Sequence, residues 1–277
     1  MALQPYATNL EKIWYYFMRI FCVMVLIGLV IPILAIIPVS FTSDTMLTYP
    51  MPGVSLRWYR EFLNAVMWTL SMKNSFIIAG ATTALATALG TLAALGLTMT
   101  DLPCRGLITG IMIMPMVVPL VITAVGIYFF FAQLGLANTH FGMILAHTTL
   151  ATPFVVITVT ATLQGFNRNQ VRAGASLGAS PARVFFKITL PQILPGVISG
   201  ALFAFVTSFD EVVVALFIAG PEQYTLPRQM FAGIREKYNP TIAAVATMMI
   251  VVSVVLLLTV ELLRRRNERL RGISDRG

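Results

Sequence analysis

The chain has 277 residues, of which 57% are hydrophobic and 11% are charged, and it carries a formal net charge of +8. An ordinary soluble domain has about 25% charged residues, so this composition cannot cover a soluble fold of that size with polar side chains. The basic residues stand in short segments between apolar runs, which is typical of membrane topology and argues against a nucleic-acid-binding protein.

Six apolar runs have the length of about 20 residues that crosses a bilayer. We expect an all-α, polytopic membrane protein with a single transmembrane domain over residues 1–277. The predicted spans are residues 14–41, 75–99, 107–133, 143–163, 195–219 and 240–263. The uncharged stretch of the first run, from Ile20 to Phe41, is longer than a signal-peptide core and follows Lys12 and Arg19, so we expect an uncleaved span.

Prolines fall inside several of these runs, at positions 32, 38, 115, 119 and 153. Proline removes a backbone donor, and lipid tolerates this only where neighbouring helices or water satisfy the freed carbonyl groups. We expect these helices to be kinked or interrupted and to pack around a pathway. Simple packing irregularity is the alternative at each position.

Small residues recur every four positions in the second span, at Ala86, Gly90 and Ala94. Because residues four apart share one helix face, this spacing lets a second helix backbone approach closely. The pattern predicts a helix bundle and indicates no particular function.

Six spans place both termini on one side of the membrane. If that side is the cytoplasm, thirteen Lys and Arg residues lie inside and six lie outside, which agrees with the positive-inside rule. Residues 42–74 then form an outer loop and residues 164–194 a cytoplasmic loop. The basic tail from Arg264 onward is expected to anchor on anionic membrane lipid.

The cytoplasmic loop contains start and stop signals for two short helices. Asn169 can cap a first helix, and Gly178 suits the left-handed position at its end. Ser180 followed by Pro181 starts a second helix, which we expect to end near Pro191. The loop thus has the form of a docking surface for another protein.

At this loop the chain resembles the permeases of ABC importers. Their signature is Glu-Ala-Ala, three residues, Gly, nine residues and Ile-x-Leu-Pro. Here Gly178 is followed by nine residues and then by residues 188–191 (ITLP), whereas the first three positions are Arg172, Ala173 and Gly174.

The last third of the chain resembles the spermidine/putrescine branch of these permeases. The matching segments are residues 208–214 (SFDEVVV), 220–221 (GP), 225–227 (TLP) and, in the outer loop, 56–59 (LRWY). The resemblance implies a type I ABC importer fold in the bacterial inner membrane. It also implies a second, paralogous permease chain, two ATPase subunits and a periplasmic solute-binding protein.

The resemblance further implies that the cytoplasmic loop contacts the ATPase. The expected contact residues are Arg172, Ala173, Gly174, Ala175, Ser176, Leu177, Gly178, Ala179, Ser180 and Pro181. No lysine follows a glycine in this chain, so a phosphate-binding P-loop is excluded. We therefore expect a non-catalytic subunit without a cofactor of its own, with ATP and Mg²⁺ bound by the partner.

Asp210 and Glu211 form an adjacent acid pair inside the fifth apolar run; the one other acid in the predicted runs, Glu261, stands near the end of the sixth. In a helix they would lie about 23 Å from Pro195, where a charge needs water, protein or a cation. One of them is expected to line the pathway and meet polyamine ammonium groups, with help from Phe205 or Tyr128. A structural carboxylate bonded to a neighbouring helix or to the partner permease is the alternative.

His140 and His147 are seven residues apart and have no carboxylate or cysteine at a ligand spacing, so no metal site is predicted. Two other functions stay open. One is an ABC permease for another solute, such as 4-aminobutyrate. The other is a self-sufficient secondary transporter or a membrane-embedded enzyme.

Overall fold

The computed structural model describes residues 8–48, 50–99, 102–236 and 239–270. Helices account for most of these ranges, in which the only extended pairing is an isolated bridge between Thr42 and Val54. Five of the described helices are long and apolar enough to cross a membrane, and a bent helix pair can supply a sixth span. The expected all-α class is confirmed.

The helices in chain order are α1 (Asn9–Val39), α2 (Arg57–Asn64), α3 (Val66–Met99), α4 (Arg105–Val117), α5 (Leu120–Gln133), α6 (His140–Gln164), α7 (Asn169–Ser176), α8 (Pro181–Val184), α9 (Leu190–Phe209), α10 (Val213–Ile218), α11 (Leu226–Glu236) and α12 (Thr241–Leu270). A π-helical turn, Phe185–Thr189, joins α8 to α9, and a 3₁₀ turn, Pro221–Gln223, lies between α10 and α11. The basic tail predicted from Arg264 onward begins in α12, and its last part, residues 271–277, lies outside the described residues.

The first helix stands apart from the bundle. No residue of α1 is buried, although the helix is apolar on all sides after Arg19, and it packs on α12. Pro32 and Pro38 lie inside this continuous helix. An apolar helix with no buried face is suited to lipid or to another chain.

Two predicted spans differ from the helices that the structure shows. The third, residues 107–133, is interrupted after Val117, and α4 and α5 meet at 102°. Pro119 stands at the break, where it precedes the first residue of α5. The fifth span, residues 195–219, is not one helix, because α9 ends at Phe209 and α10 begins only at Val213.

The core is built where α6 packs between α3 and α9. Ala86 and Ala94 are fully buried, and a Cβ added at Gly90 would lie 2.6 Å from the Cβ of Val155. A Cβ at Gly200 of α9 would lie 3.0 Å from the Cα of the same valine. The small residues therefore permit the close backbone approach that the sequence predicts.

The end of α3 nearest α11 is fixed by buried polar side chains. The amide of Asn74 donates to the carbonyl oxygens of Glu222 and Tyr224, at 2.8 and 3.1 Å. The hydroxyl of Ser75 accepts from the N–H of Leu226 at 2.8 Å. These bonds satisfy backbone groups that the irregular segment between α10 and α11 would otherwise leave unpaired.

Candidate functional site

The break in the fifth span forms around the acid pair. Asp210 caps the end of α9, where its N–H donates to the carbonyl of Val206 at 3.0 Å. The carboxylate of Glu211 accepts from the N–H of Val214 at 3.0 Å and thereby satisfies a backbone donor in the first turn of α10. The acids therefore do not follow one another on a continuous helix.

The two carboxylates have different surroundings. Glu211 is 9% exposed and is committed to the hydrogen bond with Val214. Asp210 is exposed and lines a cleft of about 490 Å³ between α1, α9, α11 and α12. The Glu211 carboxylate therefore has a local backbone partner, whereas the Asp210 side chain lies on the wall of the cleft.

The walls of the cleft are mainly apolar. The lining residues are Ile33, Ile36, Phe205, Val206, Phe209, Asp210, Met230, Ala246, Met249, Ile250, Ser253, Val254 and Leu256. The rings of Phe205 and Phe209 stack with centroids 5.4 Å apart. Asp210 is the one charged side chain among these residues, so the cleft combines a single carboxylate with aromatic and aliphatic surface.

Tyr128 is not part of this cleft. It lies on α5 with 36% of its surface exposed, and its ring packs edge-on against Phe129. Of the four predicted pathway residues, Phe205 and Asp210 line the cleft, whereas Glu211 and Tyr128 do not.

Sequence reasoning missed the contributions of α11 and α12. Met230 comes from α11, and Met249 and Ser253 come from α12. One local signal was available, because Ser253 is the single polar residue in the apolar run from residue 248 to 258. The methionines carry no such signal, since they are common in any apolar span.

The loop of residues 164–194 has the predicted two-helix form. Gly178 adopts the left-handed conformation, with φ of 78°, and its N–H donates to the carbonyl of Ala175 at 2.9 Å. The start of the first loop helix differs from the prediction, in which the side chain of Asn169 was the cap. Instead, the side chain of Asn167 accepts a hydrogen bond from the N–H of Asn169 at 3.0 Å. At the apex Leu177 is 88% exposed.

The second loop helix does not end near Pro191. Ser180 accepts from the N–H of Arg183 at 3.4 Å and Pro181 occupies the first turn, as predicted. The helix then passes through the π turn directly into α9 and forms a rod, Pro181–Phe209, of 29 residues. Proline at the start of α9 is tolerated because the π turn has already changed the hydrogen-bond pattern there. The loop and the acid pair are therefore joined by one helical rod.

The packing of α7 against this rod explains one departure from the ABC signature. Gly174 is buried, and a Cβ there would lie 2.7 Å from Cδ1 of Ile188 and 3.3 Å from Cγ2 of Val184. Arg172, at the position of the usual glutamate, is exposed. Glycine thus lets α7 lie closer to the rod than an alanine side chain would.

Two side-chain bonds hold the loop to the bundle. The guanidinium of Arg168 donates to the carbonyl oxygen of Thr98, in the last turn of α3, where the helix dipole favours a cation. The side-chain amide of Gln192, in α9, donates to the side chain of Gln170, in α7. The first bond joins the residue directly before α7 to α3, and the second joins α7 to α9.

The two histidines lie in different hydrogen-bond pairs. Nε2 of His140 is 3.0 Å from Oδ1 of Asn74, and Nδ1 of His147 is 2.8 Å from Oγ of Ser208. Over the described part of the chain, no group of three His, Cys, Asp or Glu residues could hold a metal ion.

The loop between α1 and α3 presents a basic surface. Trp58 is buried and its indole N–H donates to the carbonyl of Thr42 at 2.8 Å, while the hydroxyls of Tyr59 and Ser40 are 2.6 Å apart. These aromatic residues hold α2 in place. The basic side chains of α2 remain exposed around a shallow hollow.

Comparison with known proteins identifies the family. A family model described as "Binding-protein-dependent transport system inner membrane component" matches residues 86–269. The chain is 32% identical over 239 residues to the spermidine/putrescine transport system permease protein PotC of Haemophilus influenzae, covering 86% of this chain and 93% of that protein. It is 36% identical over 231 residues to the putrescine transport system permease protein PotI of Escherichia coli, covering 79% and 80%.

Solved structures agree on the fold. A bacterial ABC transporter involved in the import of the acidic polysaccharide alginate matches with a TM-score of 0.71 at 15% identity, over 95% of this chain and 99% of that chain. The MetNI methionine ABC transporter matches with a TM-score of 0.61 at 17% identity, over 73% and 97%. The expected ABC importer permease fold is confirmed. The chain belongs to the family of inner-membrane components of binding-protein-dependent transport systems.

Proposed function

We propose that this chain is a permease subunit of an importer for polyamines such as putrescine and spermidine. The observation that carries the proposal is the cleft in which the Asp210 carboxylate stands among apolar side chains. A polyamine is an alkyl chain with ammonium groups, and it is matched by a surface that offers both a carboxylate and hydrocarbon. The names of the relatives PotC and PotI support the same class of solute.

Asp210 supplies the charge that the solute requires. A carboxylate beside low-dielectric walls attracts a cation more strongly than the same carboxylate in bulk water. The stacked rings of Phe205 and Phe209 add faces that attract ammonium groups. Glu211, which is bonded to the backbone of α10, keeps the break in shape and does not contact the solute.

The cytoplasmic loop receives the motion of an ATPase. Residues 172–181 carry the exposed apex at Leu177, and this apex fits a cleft on a partner subunit. ATP and Mg²⁺ are bound and used by that partner, since no lysine in this chain follows a glycine. The rod Pro181–Phe209 transmits the displacement to the residues beside Asp210, because a helix moves as a rigid body.

The complete importer contains a paralogous second permease chain, two ATPase subunits and a periplasmic solute-binding protein. The excess of basic residues in the loop segments supports cytoplasmic termini. The surface around Arg57 and Arg60 then faces the periplasm, where it is available to the binding protein. The apolar, unburied helix α1 is available to the second permease chain and to lipid.

Uptake by the complete importer in proteoliposomes tests the role of Asp210. Asp210→Asn removes the charge and keeps the size of the side chain, so we expect the KM for putrescine to rise about tenfold or more, the equivalent of about 1.4 kcal/mol. Glu222→Gln is the matched control, because Glu222 is an exposed carboxylate outside the cleft.

Unchanged putrescine uptake by an intact Asp210→Asn complex would show that this carboxylate is not in the pathway. Co-purification of an ATPase with this chain separately tests the proposed contact between residues 172–181 and an ATPase subunit. A purified chain that moved solute down an ion gradient without an ATPase would instead support a secondary transporter.

A further inference from the structure

His147 is a polar residue buried in an apolar part of the bundle. It lies on α6 and is fully buried, with the apolar side chains of Met143, Leu150 and Ala151 on the same part of the helix. Burial of an imidazole in such packing costs free energy, because its polar nitrogens lose their hydrogen bonds to water. An apolar side chain of similar size would not have this cost. His147 also belongs to no group of metal-ligand residues within the described part of the chain.

The ring makes one hydrogen bond, and that bond reaches the end of α9. Nδ1 is 2.8 Å from Oγ of Ser208, whereas Nε2 is buried without a hydrogen-bond partner. Either ring tautomer forms this bond, because a protonated Nδ1 donates to the hydroxyl and a bare Nδ1 accepts from it. The buried imidazole is therefore directed at a single target on another helix.

That target stands two residues before Asp210. Ser208 lies in the last turn of α9, and it is 3% exposed. On the other side of Asp210, the Glu211 carboxylate is tied to the N–H of Val214. Asp210 therefore lies between two anchors, one on α6 and one on α10, at a point where no helix continues.

We propose that His147 is a positioning residue for transport, which holds Ser208 and thereby keeps the Asp210 carboxylate directed into the cleft. His147 does not contact the solute. It acts because a helix end without a lateral bond can unwind or rotate, and a rotation here would turn the carboxylate away from the cleft. The inference rests on the proposed role of Asp210 in the solute pathway.

Histidine, asparagine and glutamine offer a matched set of variants. The side-chain amide of asparagine occupies the place of Nδ1, and that of glutamine occupies the place of Nε2. His147→Asn can therefore keep the bond to Ser208, whereas His147→Gln cannot reach it in the same way. Ser208→Ala removes the bond from the other side with a smaller change in volume.

The experiment measures putrescine uptake and ATP hydrolysis by the complete importer in proteoliposomes. We expect His147→Gln and Ser208→Ala to raise the KM about tenfold with the maximal rate and the yield of complex little changed. His147→Asn should remain within about twofold of the parent protein. The double variant His147→Gln/Ser208→Ala should be no worse than either single variant, because both remove the same bond.

Three outcomes would overturn the proposal. The first is an unchanged KM in Ser208→Ala, and the second is a defect in His147→Asn as large as that in His147→Gln. The third is a double variant whose effects multiply, since this would give the two residues separate roles. If Asp210→Asn raises the KM and the His147 and Ser208 variants do not, the positioning role fails and the pathway role of Asp210 stands.

Discussion

The contact between α3 and α6 at Gly90 offers a quantitative test of the packing. In Gly90→Ala the new Cβ would lie 2.6 Å from Cβ of Val155, 2.8 Å from its Cγ1 and 3.2 Å from the carbonyl oxygen of Thr152. A Cβ and a carbonyl oxygen cannot rotate away, so the two helices have to separate. The matched control is Gly80→Ala on the same helix, where a Cβ meets no atom within 4 Å.

The difference between the two variants isolates the cost of overpacking. Alanine stabilises a helix relative to glycine by about 1 kcal/mol, and this contribution is the same at both positions. Overpacking of a dense core costs about 1–3 kcal/mol, and the fixed position of the atoms near Gly90 places the cost in the upper half of that range. We therefore expect Gly90→Ala to be less stable than Gly80→Ala by about 2–3 kcal/mol.

Thermal unfolding of the purified importer in detergent measures this difference. At about 2–4 °C per kcal/mol for a chain of this size, the melting temperature of Gly90→Ala should lie about 4–12 °C below that of Gly80→Ala. Equal melting temperatures would refute the close approach of α3 and α6.

Two further predictions concern the cytoplasmic loop. Arg168→Ala removes the hydrogen bond to the carbonyl oxygen of Thr98. Because Arg168 is exposed, this bond contributes about 1 kcal/mol. We therefore expect the amount of solute taken up per ATP hydrolysed to fall about fivefold. An unchanged ratio would exclude Arg168 from coupling. Gly178→Ala puts a side chain on a residue with φ of 78°. This left-handed conformation should destabilise the loop by about 1–2 kcal/mol, and we expect the rate of uptake to fall as a result. Gly165→Ala, at φ of −89°, is the control and should transport normally; equal effects would show that the left-handed turn is unimportant.

The apolar spans, the small-residue face of α3 and the left-handed turn at Gly178 could be predicted from the sequence. Each depends on residues close together in the chain: an apolar run is long enough for a bilayer or it is not, and glycine has a conformational freedom that its neighbours lack. The family signature likewise lies within one loop. That signature indicates an ABC permease without any knowledge of the contacts between helices, whereas the spans and the small-residue face indicate only a membrane helix bundle.

Tertiary structure decided which acid faces the cleft. In the sequence Asp210 and Glu211 appear equivalent, as neighbours in an apolar run, but α9 ends at Phe209 and the Glu211 carboxylate bonds to the backbone of α10. Tyr128, an equally plausible aromatic in the sequence, lies elsewhere on α5. The bond from His147 to Ser208 joins residues 61 positions apart. Such choices depend on which helices pack together, and a pattern read along the chain has no information on the side from which a distant helix approaches.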